Sequence, residues 1–163
     1  MMLRTLRVLS CALVLIGTIG ATTKILGTAD GEKPGSRIDI TELKRVSGNM
    51  VSLKLVLVNN SDAVMPMGGA FEGPANSPTD IERDSGTIAG VSLEDAAGAT
   101  KYTVVRDAAG NCVCSSGLGN LAVKTKVNLW AKFPAPPDSV TKLNVVLPHF
   151  QPVEDVPLTP LSK

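Results

Sequence analysis

From Val123 to Phe133 the chain reads VKTKVNLWAKF, and its residue types alternate without a break. In a strand, Val123, Thr125, Val127, Leu129, Ala131 and Phe133 share one face. Lys124, Lys126, Asn128, Trp130 and Lys132 share the other. A helix would scatter these lysines among the apolar residues; only an extended strand separates them. One apolar face and one polar face specify a sheet that packs on one side and meets water on the other. Antiparallel sheets do this and parallel ones rarely do.

The same period recurs along the chain. In Met50–Val58, Val51, Leu53, Leu55 and Leu57 fall on one face. Ser52 and Lys54 open the other face, which turns apolar at Val56 and Val58. From Arg37, the residues Ile38 and Ile40 alternate with Asp39 and Thr41, and the pattern slips by one before Leu43. Such a slip predicts a bulge or a strand end. Ile88–Leu93 and Val140–Leu147 predict further strands. Tyr102–Arg106 and Asn111–Ser115 predict the two arms of a hairpin turning through Asp107–Gly110. The proline-rich tail, Gln151–Lys163, is expected to be extended, with a short edge strand near Val153–Val156.

The segment Ala63–Gly86 carries Met65-Pro66-Met67-Gly68-Gly69, Pro74 and Pro78, and predicts the longest loop. Fifteen glycines and eleven prolines punctuate the chain, and no heptad, amphipathic helix or internal repeat is evident. The expected fold class is therefore all-β, an immunoglobulin-like antiparallel β-sandwich; a barrel is the competing architecture. The length of 163 residues argues for one domain.

Arg4 and Arg7 precede an uncharged run from Val8 to Thr23. That run is short of the roughly 20 apolar residues that span a bilayer and suits a signal peptide. Residues 1–29 are expected to be a signal-peptide helix cut after Ala29, where Gly27 and Ala29 supply small residues. Thr18-Ile19-Gly20 offers a second cut, and an uncleaved N-terminal anchor is the alternative. Cys11 lies inside the apolar run rather than at its end, which argues against lipidation. Residues 30–36 are expected to be a polar linker and residues 37–163 the folded domain. The expected location is secreted or extracytoplasmic, at the cell envelope. Asn59-Asn60-Ser61 forms a glycosylation sequon, relevant only in a eukaryotic secretory route.

The formal net charge is +1 and the sequence pI about 7.7. That balance argues against nucleic acid or an anionic membrane as the main partner. Aromatic residues are only 3% of the chain, too few to build stacking platforms for bases or sugars. Catalysis lacks its usual parts. His149 is the single histidine, no serine sits in a Gly-x-Ser-x-Gly motif, and Gly117-Leu118-Gly119 does not continue as a dinucleotide fingerprint. Glu82, Asp84, Glu94 and Asp95 are available as acid–base pairs but fall in expected turns, where carboxylates usually cap and remain solvated. No enzyme activity and no cofactor are expected.

Cys112 and Cys114 are the only cysteines after residue 11. In a regular strand, residues two apart point the same way and their Cβ atoms lie roughly 6–7 Å apart, beyond the roughly 3.5–4.5 Å that a disulfide requires. A disulfide between them then needs a kinked backbone. Four readings remain open: that disulfide, two buried free thiols, a redox pair facing Arg106 across the hairpin, and a soft-metal site. The last would bind copper(I) or zinc through Cys112 and Cys114 with Met65, Met67 or His149. The disulfide is the preferred reading. Trp130 either packs beneath the Met65 loop or stands exposed as a contact residue. Trp130, Met65 and Met67 are the interaction candidates, on a surface joining the Met65–Arg83 loop to the Trp130 face. The expected partner is a protein or another envelope component. No membrane binding is expected beyond a possible N-terminal anchor.

From Ile88 onward, "IAGVSLEDAAGATKYTVVRDAAGNCVCS" and then "LWAKFPAPPDSVTKLNVVLPHFQPVEDVPL" resemble a group of secreted or envelope bacterial β-sandwich domains common in actinobacteria. The shared features are the "SLED…Y" strand, the cysteine hairpin, and FPAPP followed by a strand and a proline-flanked ending. Some of those domains precede an OmpA-like module; the resemblance does not include one, so peptidoglycan binding is not carried over. It implies an extracytoplasmic immunoglobulin-like domain without established catalytic residues.

Overall fold

The computed structural model describes residues 24–69, 71, 78–95, 97 and 99–161. The expected signal-peptide helix, up to residue 23, lies outside them. The chain is all-β, with ten strands and one short helix among the described residues. In order these are β1 (Gly27–Asp30), β2 (Ser36–Val46), β3 (Met50–Asn59), β4 (Met65–Pro66), α1 (Pro78–Asp84), β5 (Ser92–Asp95), β6 (Thr100–Thr103), β7 (Asn120–Leu121), β8 (Thr125–Pro134), β9 (Lys142–Val146) and β10 (Val153–Pro157). All ladders are antiparallel. They form a sheet β1-β2-β3-β8, a second sheet β10-β9-β5-β6 and a small β4-β7 pair.

The first sheet is built around β3. Leu53, Leu55 and Leu57 lie between Leu43, Ile40 and Ile38 of β2 and Ala131, Leu129 and Val127 of β8. Except for the half-buried Val127, all of these are buried. The register shifts between Ile40 and Glu42, at the slip read from the sequence. By absorbing Thr41 as an extra residue, the strand returns Leu43 to the core face instead of turning it to water. The second sheet contributes Leu93, Leu143, Val145, Val153 and Val156 to the same core.

Three expectations change. Ile88–Val91 forms a buried turn ahead of β5 rather than strand. Val91 N–H donates to the Ile88 carbonyl, Ile88 N–H to Ser115 and Gly90 N–H to Phe71. A short apolar run fits a buried turn as well as a strand when its backbone groups are satisfied in this way. The Ala63–Gly86 segment contains β4 and α1, although residues 70 and 72–77 lie outside the described set.

The third change concerns the N-terminal boundary. Residues 27–30 form β1, pairing Gly27 with Ile40 and Asp30 with Arg37. The expected linker is folded too. Gly31 bridges Phe150, and Ser36 opens β2 while its Oγ donates to the Lys33 carbonyl at 2.6 Å. A cut after Ala29 would remove three of the four β1 residues, including the buried Ala29. A protein beginning at Asp30 is therefore expected to lose about 2 kcal/mol relative to one beginning at Ala21, through lost ladder hydrogen bonds. Urea unfolding of the two forms checks this, and the intact mass of the protein isolated from its own cells is expected to place its terminus before Gly27. Equal stability would remove the reason to move the boundary.

Candidate functional site

The cysteine hairpin is held by charge. Asp107 Oδ1 accepts N–H bonds from Ala109 at 2.9 Å and Asn111 at 2.8 Å. These donors, Asn111 foremost, hold its carboxyl below the ordinary aspartate range. Arg106 reaches from the first arm to Asp84 at the end of α1, with Nη1–Oδ1 at 2.8 Å and Nη2–Oδ2 at 2.6 Å, and donates to the Gly110 carbonyl. Asp84 is buried, not the solvated turn carboxylate expected from sequence. Its bidentate partner makes that burial tolerable. Glu94 pairs with Lys101, Asp95 accepts the Ala97 N–H, and Glu82 is exposed on α1.

Cys112 pairs with Arg106, whereas Cys114 pairs with Ala131 of β8. The chain changes partners at Val113, which donates to Val105 and accepts from Lys132. That change supplies the kink. The two Cα atoms are 5.3 Å apart and the sulfurs form a disulfide. A bonded pair offers no thiolate to a metal, so the soft-metal set is not assembled. Met65 and His149 do come together, since both line a cavity of about 140 Å³ with Phe71 and Phe150, but the cysteines and Met67 do not line it. Among the described residues no group of three or more His, Cys, Asp or Glu is placed to hold a metal. Arg106, set opposite the cysteines in the redox reading, is committed to Asp84 and Gly110.

His149 is exposed at the cavity rim, with Nδ1 2.9 Å from Glu32 Oε2. Its carbonyl accepts the Glu32 N–H at 2.8 Å. Met65 and Met67 are buried, at 6% and 5% exposure, so neither is the surface contact expected from sequence. Met65 pairs with Leu121, and Met67 N–H donates to Gly119. Apolar side chains in a proline- and glycine-rich segment gave no sign of which way they would face.

Trp130 is 42% exposed on the outer face of the first sheet, away from the buried methionines. It does not pack beneath the Met65 loop. Ser115 fixes its backbone, with Ser115 Oγ accepting the Trp130 N–H at 2.9 Å and Ser115 N–H donating to the Trp130 carbonyl at 2.8 Å. Lys54 of β3 stands directly across the ladder. Lys126 and Lys132 share the Trp130 face of β8, and Lys44 of β2 aligns with Ser52 and Lys132. Ser52 is buried although it points outward, between Lys44 and Lys132 in the ladder.

Glu42 binds Lys44 at 3.1 Å and Lys54 at 3.3 Å. Burial alone would raise its carboxyl, but the hydrogen bonds and charges of the two lysines outweigh this and hold it below its ordinary value. Among the described residues, neither Lys126 nor Lys132 forms an ion pair. Sequence alternation placed the lysines of β8 around Trp130. The contributions of Lys44 and Lys54 depend on strand order, which alternation does not encode.

No family model, curated protein or solved structure matches the chain.

Proposed function

We propose that the chain is an extracytoplasmic, non-catalytic β-sandwich domain that binds a protein or another envelope component through the Trp130 face. Two antiparallel four-stranded sheets sharing one core support the sandwich. The order β1-β2-β3-β8 over β10-β9-β5-β6 differs from the ABED and CFG order of antibody constant domains, so the immunoglobulin likeness is one of architecture. The charged and uncharged N-terminal segments and the resemblance from Ile88 onward support export to the envelope. Among the described residues no helix is long and apolar enough to cross a membrane.

The carrying observation is Trp130, a large aromatic held on a rigid strand yet exposed amid lysines. Tryptophan in such a place contributes large contact area at low entropic cost, and such residues dominate interface energies. Purified protein is expected to cosediment with the envelope fraction of its own cells. Trp130→Ala is expected to reduce that association at least tenfold, with urea stability unchanged within about 0.5 kcal/mol. Equal sedimentation of the two proteins would remove Trp130 from any binding role.

A further inference from the structure

We propose that the Trp130 face receives an extended, acidic segment of a partner protein. This rests on the binding role of that face and names the chemistry of its occupant. Around Trp130 stand Lys44, Lys54, Lys126 and Lys132, with the carboxylates Glu42 and Asp39 of β2 on the same face. Arg37, in register with Lys126 through Val58, is matched by Asp39, and Lys124 by Asp62; among the described residues Lys126 and Lys132, on either side of the tryptophan along β8, form no ion pair. The whole chain carries only +1, which makes this face a local concentration of positive charge.

The spacing suits a linear anion. Lys126 precedes Trp130 by four residues and Lys132 follows it by two, on the same face. At the strand repeat these are roughly 13 Å and 7 Å along β8. Lys54 lies across the ladder at about 5 Å. An occupant running along β8 would meet cations on both sides of the tryptophan and a third beside it. Each exposed ion pair is weak on its own, so an occupant must engage several at once while an apolar group covers the indole.

Lysines are point charges without the planar fork by which arginine grips one phosphate, and several of them suit carboxylates dispersed along a chain. The chain's single tryptophan is one of very few aromatic residues, which disfavours a stacked glycan or nucleic acid. The edge of β8 beside Trp130 is already occupied. Val105, Val113 and Ser115 bond to Lys132 and Trp130 there. An occupant must therefore lie on the face and be read by side chains, not added as a strand.

Because Trp130 is the only tryptophan, its fluorescence reports directly from the centre of the surface. The test titrates the exported protein with a glutamate-rich peptide carrying a central leucine, with the same peptide bearing glutamine for glutamate, and with dextran sulfate. The acidic peptide is expected to shift Trp130 emission saturably, and the glutamine peptide to leave it unmoved. Lys126→Gln with Lys132→Gln is expected to weaken binding about tenfold, whereas Lys101→Gln with Lys142→Gln on the second sheet leaves it unchanged. An equal response to the glutamine peptide, tighter binding of dextran sulfate, or equal weakening by both lysine pairs overturns the proposal. If the acidic peptide fails while Trp130→Ala still abolishes envelope association, the acidic partner falls and the binding role stands. If Trp130→Ala leaves that association intact, the binding role itself falls.

Discussion

Asn59→Ala is expected to destabilise the protein by about 3 kcal/mol, through the loss of a buried hydrogen bond to Leu121 and of several part-buried ones around it. Asn59 ends β3 and is fully buried. Its Nδ2 lies 2.9 Å from the Ala63 carbonyl, 3.2 Å from Leu121 and 3.1 Å from Ala122. Its Oδ1 accepts from Ser61 N–H at 3.1 Å and Ser61 Oγ–H at 2.6 Å. One side chain thus ties the turn after β3 to the segment that follows β7. Alanine would leave the buried Leu121 carbonyl without its partner and release the turn at Ala63 and Ala122. Asn59→Asp is expected to be at least as damaging, because it sets a carboxylate oxygen against the same carbonyls. Urea unfolding with Ser61→Ala as comparison decides it: Ser61 should cost about 1 kcal/mol, since only the hydroxyl bonds are lost. A cost for Asn59→Ala no larger than that would show the three-carbonyl contact to be unimportant. The same burial means that the Asn59-Asn60-Ser61 sequon is not open to glycosylation in the folded protein.

Asn59 also marks a limit of sequence reading. Asn59-Asn60-Ser61-Asp62 announces a turn, and a turn is present. Which of the two asparagines would be buried depends on β7, some sixty residues later in the chain, and local pattern carries no such information. Alternation succeeded where the sheet faces core on one side and water on the other, as in β8, and it located the Thr41 bulge. It failed at Ile88–Val91, where an apolar run packs as a turn, and at Met65 and Met67, which point inward. It also gave no sign of β1, which lies ahead of the expected start at residue 37. Gly27-Thr28-Ala29 looks like a processing site because its residues are small. Small residues are also what β1 requires there: a Cβ on Gly27 would stand 2.5 Å from Val153 Cγ1 of β10.

The disulfide was legible in part. Its backbone requirement followed from strand geometry, and the structure meets it by an exchange of ladder partners at Val113. Asp84 was read as a solvated cap because sequence gives no hint that Arg106 will reach it. That pair closes α1 onto the cysteine hairpin, and the hairpin in turn covers the edge of β8 beside Trp130. The candidate surface is therefore positioned by residues that take no part in it.

Phe133→Ala is expected to cost about 5 kcal/mol, the upper end for a buried aromatic replaced by alanine. Phe133 is fully buried on the inner face of β8, paired with Val51. The cavity left behind has little means of closing. β8 is fixed by its ladder to β3 on one side, and Lys132 is bonded to Val105 and Val113 on the other. Phe133→Leu retains most of the apolar volume and is expected to cost about 1.5 kcal/mol, while Val127→Ala, at a half-buried position, should cost about 1 kcal/mol. Urea unfolding at constant m-value gives the ranking, and a cost below about 2 kcal/mol for Phe133→Ala would mean that the two sheets collapse into the space. The Leu variant also separates stability from recognition. Phe133 and Trp130 lie three residues apart on opposite faces of one strand, so Phe133→Leu should lower stability and leave the Trp130 surface intact. Trp130→Ala should do the reverse. A protein in which both substitutions weakened binding in proportion to lost stability would be responding to unfolding alone, and Trp130 would then have no binding role of its own.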